Sequence, residues 1–318
     1  MTISSELQAA NGLPAVPARR RMPSAVAVLA VLRPWYWPVS LGPAALGYAM
    51  ASGSWLPAAG SEPRVAAAAL VLGPLVWGAV LTQNDRYDVV SDRASPRKAT
   101  TPVVTGRLTL HDLARLHWWF AAASLVVAAA LGPTLVAGTA GVLVLGWAYS
   151  APPLRLKGRP GADVAANAMV VGLLAPLCGW SLHRPLLEYP PALAITGTLI
   201  AVALYIPTTV IDRDADLLAG DRTFSVRFGP RMAYWVGLAA WTVSTVLWLI
   251  GCVQGLVPPD QLPWHVLCCI GMLALYAGLM RRPSIARLAL VFTVFALPAA
   301  LFLAGVVAGH SVTGVLAP

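Results

Sequence analysis

Charged residues are scarce in this chain of 318 residues. Asp, Glu, Lys and Arg make up 11% of it and hydrophobic residues 58%, whereas soluble domains carry about 25% charged residues. So little charge excludes an ordinary soluble domain. It indicates a protein that lies in a lipid bilayer, with membrane lipid as its surroundings.

Cysteine is scarce as well. The four cysteines, at positions 178, 252, 268 and 269, lie in apolar runs and have neither metal-ligand spacing nor a disulfide framework. A clean small-residue cleavage site is also missing after the basic stretch Arg19–Arg21, which argues against a signal peptide. We therefore predict a flexible, basic, cytosolic tail over 1–33 and a single transmembrane domain over 34–318.

Long apolar runs, in contrast, are frequent. A helix that crosses a bilayer needs about 20 apolar residues, and breaks at Pro, Gly and charge separate nine such runs. They lie near 34–52, 65–83, 111–131, 134–150, 163–181, 191–210, 230–252, 263–280 and 285–308. The sequence thus predicts an all-α integral membrane protein with nine spans.

The basic residues orient these spans. If 1–33 is cytosolic and the spans alternate, all but two of the 22 Lys and Arg residues fall on the cytosolic side, the exceptions being Arg64 and Arg184. This is the bias that cytoplasmic loops show. The net charge of +9 is therefore mostly a sign of topology and predicts no nucleic-acid partner. We expect a multi-pass protein of the cell membrane.

Acidic residues collect in two of the cytosolic loops, 84–108 and 211–229. In the stretch NDRYDVVSD, Asp85, Asp88 and Asp92 are spaced to share one face of a helix, and so are Asp212 and Asp216. Asp214 lies between the latter two and should point away. Like charges stacked on one face repel, so a cation must offset them.

Oxygen ligands without His or Cys suit a hard cation, and Mg²⁺ is the expected one. Basic residues stand nearby: Arg97 and Lys98 in the first loop, and Arg155, Lys157 and Arg159 in the loop 149–163. Mg²⁺ and basic side chains together form a pocket typical of diphosphate binding. Acids that merely face water are the alternative, which two clusters on the same side of the membrane disfavour.

The motifs resemble a known family. Asn84-Asp85-x-x-Asp88-x-x-x-Asp92, followed later by Asp212-x-x-x-Asp216, is similar to the paired signatures of the UbiA superfamily of intramembrane prenyltransferases. The stretch YSAPPLRLK, residues 149–157, is close to the form in the chlorophyll-synthase-like branch, and AGDRT, residues 219–223, also matches. The resemblance covers about 34–308 and implies nine transmembrane helices around a central cavity.

The resemblance also implies roles for individual residues. Asn84, Asp85, Asp88 and Asp92 would hold one Mg²⁺, and Asp212 and Asp216 a second. Arg155 and Lys157 would grip the diphosphate, with Asn84 nearby, and Tyr149 would line the catalytic site. Relatives often have Arg before a proline of the first loop where this chain has Thr101 before Pro102, so Lys98 would supply that charge.

Three functions remain open from the sequence. The first is Mg²⁺-dependent transfer of an isoprenyl group from an allylic diphosphate to an aromatic or other small lipophilic acceptor, with release of diphosphate. The second is a terpene cyclase on the same scaffold, which would use the same Asp residues. The third, a divalent-cation transporter, ranks last, because the outer loops hold only the unclustered acids Glu62, Glu188 and Asp260.

Overall fold

The regular secondary structure is entirely helical in the part of the chain that the structure, a computed structural model, describes: residues 23–94 and 98–309. The α-helices are α1 (Ala25–Leu32), α2 (Pro38–Ser52), α3 (Glu62–Leu70), α4 (Val76–Ala94), α5 (Leu110–Leu131), α6 (Pro133–Ser150), α7 (Ala162–Ala168), α8 (Ala175–Trp180), α9 (Pro191–Ile211), α10 (Arg213–Ala219), α11 (Phe224–Gly251), α12 (Leu262–Arg281) and α13 (Ile285–Val307). Short π and 3₁₀ turns join several of them.

The predicted number of membrane spans agrees with this architecture. Within the described residues, eight helical segments are long and apolar enough to cross a bilayer, and a ninth span results if the bent pair Ala25–Tyr36 and Pro38–Ser52 crosses as one. The tight turn between α5 and α6 falls at Gly132, whose φ of 120° suits glycine. The all-α membrane fold is thus confirmed, with eight or nine candidate spans among the described residues.

The second span is longer than its hydropathy predicts. The sequence places it at 65–83, but one helical run extends from Glu62 to Arg93, so the first acidic motif is helical rather than part of a loop. A π turn at Val71–Leu75 contains Gly73 and Pro74. Pro74 has no N–H for a regular helical hydrogen bond, and the π turn accommodates it by widening the helix locally.

Ordered structure begins before the predicted domain boundary at residue 33. Ala27 and Val31 of α1 are each 1% exposed and pack against Val103, Leu108 and Leu113. Residues 23–33 therefore belong to the packed domain, because the apolar run after Pro23 buries a helix of its own. The predicted tail over 1–22 lies outside the described residues.

Glycine allows two helix pairs to approach closely. A Cβ at Gly179 in α8 would lie 1.8 Å from the carbonyl oxygen of Ala44 in α2. Gly172, in the π turn before α8, meets Gly197 in α9, and a Cβ on Gly172 would lie 2.5 Å from the Gly197 carbonyl oxygen. Small residues let helix backbones touch in this way within membranes, and these contacts bring α2, α8 and α9 together.

This packing predicts a strong effect of Gly179→Val. The valine would collide with backbone atoms, which cannot rotate away, so overpacking should lower stability by about 1–3 kcal/mol or prevent folding. The measurement is the thermal unfolding midpoint of purified protein in detergent. Gly141→Val is the matched control, because a Cβ there meets nothing within 4 Å. Equal unfolding midpoints for the two variants would contradict the close packing of α2 on α8.

Candidate active site

A cavity of about 560 Å³ lies between the helices. Its polar end is lined by Asn84, Asp88, Ser91, Asp92, Lys98, Tyr149, Lys157, Asp212, Asp216, Asp221 and Thr223. Its apolar part is lined by side chains such as Val76, Val80, Val142 and Leu174. This volume is typical of small-molecule sites, and its two-part lining suits a ligand with a charged head and an apolar chain.

The first acidic motif presents one helical face to the cavity. Asn84, Asp88 and Asp92 lie four residues apart on α4, and all three line the polar end. Asn84 donates a hydrogen bond from Nδ2 to Ser150 Oγ at 3.3 Å, which leaves its carbonyl oxygen as an acceptor. This face therefore offers two carboxylates and one amide oxygen to a ligand.

Asp85 departs from the predicted ligand set. It is 0% exposed and is not among the cavity-lining residues. Successive residues of an α-helix are rotated by about 100°, so the residue after Asn84 falls at the edge of the face that Asn84 and Asp88 share. Arg33 Nη2 instead donates to both Asp85 carboxylate oxygens, at 2.8 and 2.9 Å.

The other carboxylates on α4 also have cationic partners. Lys98 Nζ lies 2.6 Å from Asp92 Oδ1, and Lys157 forms an ion pair with Asp88. Arg155 Nη2 lies 3.5 Å from Asp88 Oδ1. The structure thus brings together the acids of α4 and the three basic residues proposed from the sequence. Arg97 lies outside the described residues.

The second acidic motif follows α9, across the cavity. Asp212 and Asp216 both line the polar end, whereas the side chain of Asp214 is 96% exposed, in the direction that the spacing predicts. Thr223 Oγ1 donates to Asp216 Oδ2 at 2.9 Å. Asp212 and Asp216 therefore lie on one side of α10, opposite the exposed Asp214.

Burial shifts the ionisation of two groups in these loops. It raises the pKa of the Asp216 carboxyl to about 6; the Thr223 hydrogen bond opposes this shift, and the carboxylates of Asp212 and Asp221 add to it. Burial lowers the pKa of the Lys157 ammonium, and the neighbouring Asp88 opposes that change. A cation that binds Asp216 would therefore compete with its proton.

Aromatic side chains also line the cavity. Tyr149 and Tyr205 both line it, and their hydroxyl oxygens lie 2.8 Å apart. Tyr36 and Trp77 also line it, with stacked rings whose centroids are 5.5 Å apart. The aromatic faces can stabilise a cation formed between them. Trp118, Trp119 and Trp147, in contrast, are exposed, at 69%, 72% and 41%.

The donor set fits Mg²⁺ through its chemistry. Asp92 Oδ2 is buried and has no hydrogen-bond partner among the described residues. No three acidic, His or Cys side chains of that part of the chain converge on a single ready-made metal position. Mg²⁺ usually takes one or two carboxylates and completes its shell with water and substrate phosphate oxygens. One or two carboxylates on each side of the cavity meet that requirement.

Five further residues that the site argument uses were missed by the sequence interpretation: Arg33, Tyr36, Trp77, Tyr205 and Asp221. Asp221 holds Arg155 through two hydrogen bonds of 3.1 Å, from Nε and Nη2. Its position within AGDRT, directly after the second acidic motif, was a usable signal. Arg33 was counted only as a cytosolic positive charge, and no local pattern distinguishes it from the other arginines.

The fold and the cavity define the class of the protein. It is a multi-pass α-helical membrane protein with a cavity that joins carboxylates and basic groups to an apolar interior. Such a site can bind an anionic head group while an apolar chain remains out of water. This arrangement suits an intramembrane enzyme whose substrate has an anionic head and an apolar chain.

The comparisons with known proteins agree. The model of the UbiA prenyltransferase family matches residues 40–297. A lycopene elongase/hydratase of Haloferax volcanii is 30% identical over 235 residues, which cover 69% of this chain and 70% of that protein. The chain belongs to the UbiA prenyltransferase family and is an enzyme of the prenyltransferase type.

Solved structures extend this likeness to the whole fold. A UbiA homolog from Archaeoglobus fulgidus bound to DMAPP and Mg²⁺ is 26% identical, with a TM-score of 0.73 over 90% of this chain and 99% of that one. The structure of a UbiA homolog from the same organism bound to GPP and Mg²⁺ is 25% identical, with a TM-score of 0.72 over 89% and 99% of the two chains. Both neighbours thus carry a prenyl diphosphate together with the metal expected from the acidic motifs.

Asp212 and Asp214 provide a matched pair of substitutions. Asp212→Ala removes a carboxylate from the cavity and should abolish Mg²⁺-dependent release of diphosphate, since electrostatic stabilisation of the leaving group would be lost. Asp214→Ala changes an exposed side chain and should leave most of the activity. The measurement is turnover of an allylic diphosphate by purified protein, with the unfolding midpoint as a check on folding. Equal losses in the two variants would show that the assigned helical register is wrong.

Proposed function

We propose that the protein transfers an isoprenyl group from an allylic diphosphate to a lipophilic acceptor within the membrane and releases diphosphate. The observation that carries this proposal is the division of one cavity into a polar end with facing Asp motifs and an apolar part. The head of the substrate would bind at the polar end, and its isoprenyl chain would extend between Val76, Val80, Val142 and Leu174.

Asn84, Asp88 and Asp92 would hold one Mg²⁺ and Asp212 and Asp216 another. Bound there, the metal supplies Lewis-acid stabilisation of the negative charge on the departing diphosphate. Lys157 and Lys98 would add positive charge from the protein, and Asp221 keeps Arg155 in place beside them. Through the Mg²⁺ that they hold, the same carboxylates would position the diphosphate leaving group. They would thereby lower the barrier to breaking the bond between the diphosphate and the allylic carbon.

The allylic cation must then be kept from water until the acceptor reacts. Tyr36, Trp77, Tyr149 and Tyr205 line the cavity and would stabilise the cation through their ring faces. The apolar lining excludes water and favours an acceptor of low polarity, an aromatic molecule or another small lipophilic one. Because the Haloferax relative is a lycopene elongase/hydratase, lycopene, a polyene hydrocarbon, is one of the acceptors to be tested.

The acceptor requirement separates the transferase from a cyclase. Purified protein with Mg²⁺ should be given C10, C15 and C20 allylic diphosphates, with and without a panel of aromatic and polyene acceptors. We expect diphosphate release that depends on acceptor concentration, and a product in which the isoprenyl group replaces one hydrogen of the acceptor, which leaves as a proton. Release at full rate without any acceptor, together with a cyclic terpene product, would contradict transfer and leave the metal-site assignment intact.

We also propose that the polar end of the cavity opens to the cytosol, which the distribution of Lys and Arg supports. Single cysteines introduced at Thr105 and Leu218, in a variant without the four native cysteines, should react with an impermeant thiol reagent only from the cytosolic side. A cysteine at Ala59 should react only from outside. All three positions are exposed. If the cysteines at positions 59 and 218 were labelled from the same side of the membrane, the proposed topology would be wrong.

A further inference from the structure

Arg33 lies at the cavity although it comes from a segment that the sequence assigned to a tail. Its side chain lines the polar region and is 12% exposed, and its partner Asp85 is 0% exposed. Both oxygens of Asp85 accept hydrogen bonds from the same nitrogen, Nη2. The pair therefore places a guanidinium at the cavity wall and the carboxylate that fixes it behind the wall.

Much of the hydrogen-bonding capacity of Arg33 is left over. A guanidinium carries five N–H donors and is charged at every relevant pH. Only Nη2 donates to Asp85, and within the part of the chain that the structure describes no hydrogen bond is made by Nη1 or Nε. Arginine is suited to phosphate because its planar donors match phosphate oxygens. A charged group with free donors on the wall of this cavity is thus equipped to bind an anion.

The backbone also holds Arg33 in an unusual conformation. Its φ of 43° and ψ of 68° lie in the left-handed region, which residues other than glycine rarely adopt. It caps the end of α1 and begins the 3₁₀ turn Pro34–Tyr36, and the burial of Ala27 and Val31 packs α1 against the rest of the domain. Conformations of this kind cluster at ligand-binding sites, and Arg33 is among the residues that line the cavity.

We propose that Arg33 binds the phosphate oxygens of the substrate diphosphate, and that Asp85 is its positioning residue rather than a metal ligand. This inference rests on the proposed function. It assigns different roles to neighbouring acids of one motif: Asp88 and Asp92 line the cavity, whereas Asp85 is enclosed and occupied by Arg33. It also makes α1 part of the active site, since the packing of α1 determines where Arg33 stands.

The test measures binding of inorganic diphosphate to the purified full-length protein by calorimetry over a series of Mg²⁺ concentrations. Arg33→Ala and Asp85→Asn should each weaken diphosphate binding by about tenfold, the value of one charge-assisted hydrogen bond. Neither should change the Mg²⁺ concentration that gives half of the maximal effect, whereas Asp88→Asn should raise it. Arg282→Ala is the control, because this arginine is exposed and does not line the cavity, and it should change neither quantity.

Two further variants separate binding from folding, since removing one partner of a buried ion pair is strongly destabilising. Arg33→Lys should restore the unfolding midpoint but not the affinity for diphosphate, because an ammonium held by Asp85 lacks the donor fork of arginine. The double variant Arg33→Met with Asp85→Asn leaves no unpaired charge, and it should remain folded and bind diphosphate weakly.

Three results would decide against the inference. Diphosphate affinity equal to that of the unaltered protein in Arg33→Ala or in the folded double variant would show that Arg33 does not contact the anion. A shift of the Mg²⁺ dependence in Asp85→Asn as large as that in Asp88→Asn would make Asp85 a metal ligand. If the unaltered protein binds no diphosphate with Mg²⁺, the proposed function itself fails, and the role of Arg33 fails with it.

Discussion

The site depends on one electrostatic constraint: carboxylates that are buried near a bilayer must be paired. Asp85, Asp88 and Asp92 are at most 6% exposed, and an isolated buried charge of this kind is very costly. Each is paired with a cation from a different segment: Arg33 at the end of α1, Lys157 in the loop after α6, and Lys98 in the loop after α4. The ion pairs therefore tie three loops to one helix and define the polar end of the cavity.

The same constraint explains how much the sequence could predict. Runs of apolar residues locate the spans, because every backbone group in lipid must be satisfied within a helix. The break between the runs 111–131 and 134–150 coincides with the turn at Gly132. Hydropathy ends the second span at residue 83, whereas the helix continues to Arg93, since the acids on its surface are neutralised by distant residues. A local sequence pattern cannot show which basic residue will pair with each acid on the surface of this helix.

The residue that each acidic side chain contacts could not be predicted from the spacing of the acids either. A spacing of three or four residues places Asp85, Asp88 and Asp92 on a common face, but that face is broad, and Asp85 at its edge meets Arg33 rather than the cavity. The spacing did indicate that Asp214 would point away from Asp212 and Asp216. Spacing thus resolves opposite sides of a helix, whereas neighbouring positions on one side are separated only by tertiary contacts.

Charge balance connects this architecture to the chemistry. The polar end and its immediate partners comprise six carboxylates, those of Asp85, Asp88, Asp92, Asp212, Asp216 and Asp221, among the described residues. Four basic side chains, Arg33, Lys98, Arg155 and Lys157, face them. These groups offer partners of both signs to a ligand. Divalent cations would pair with the carboxylates, while the basic side chains would pair with phosphate oxygens. A diphosphate that arrives with its metal would therefore meet both, and the apolar lining beyond them would leave the isoprenyl chain as the part that extends into the bundle.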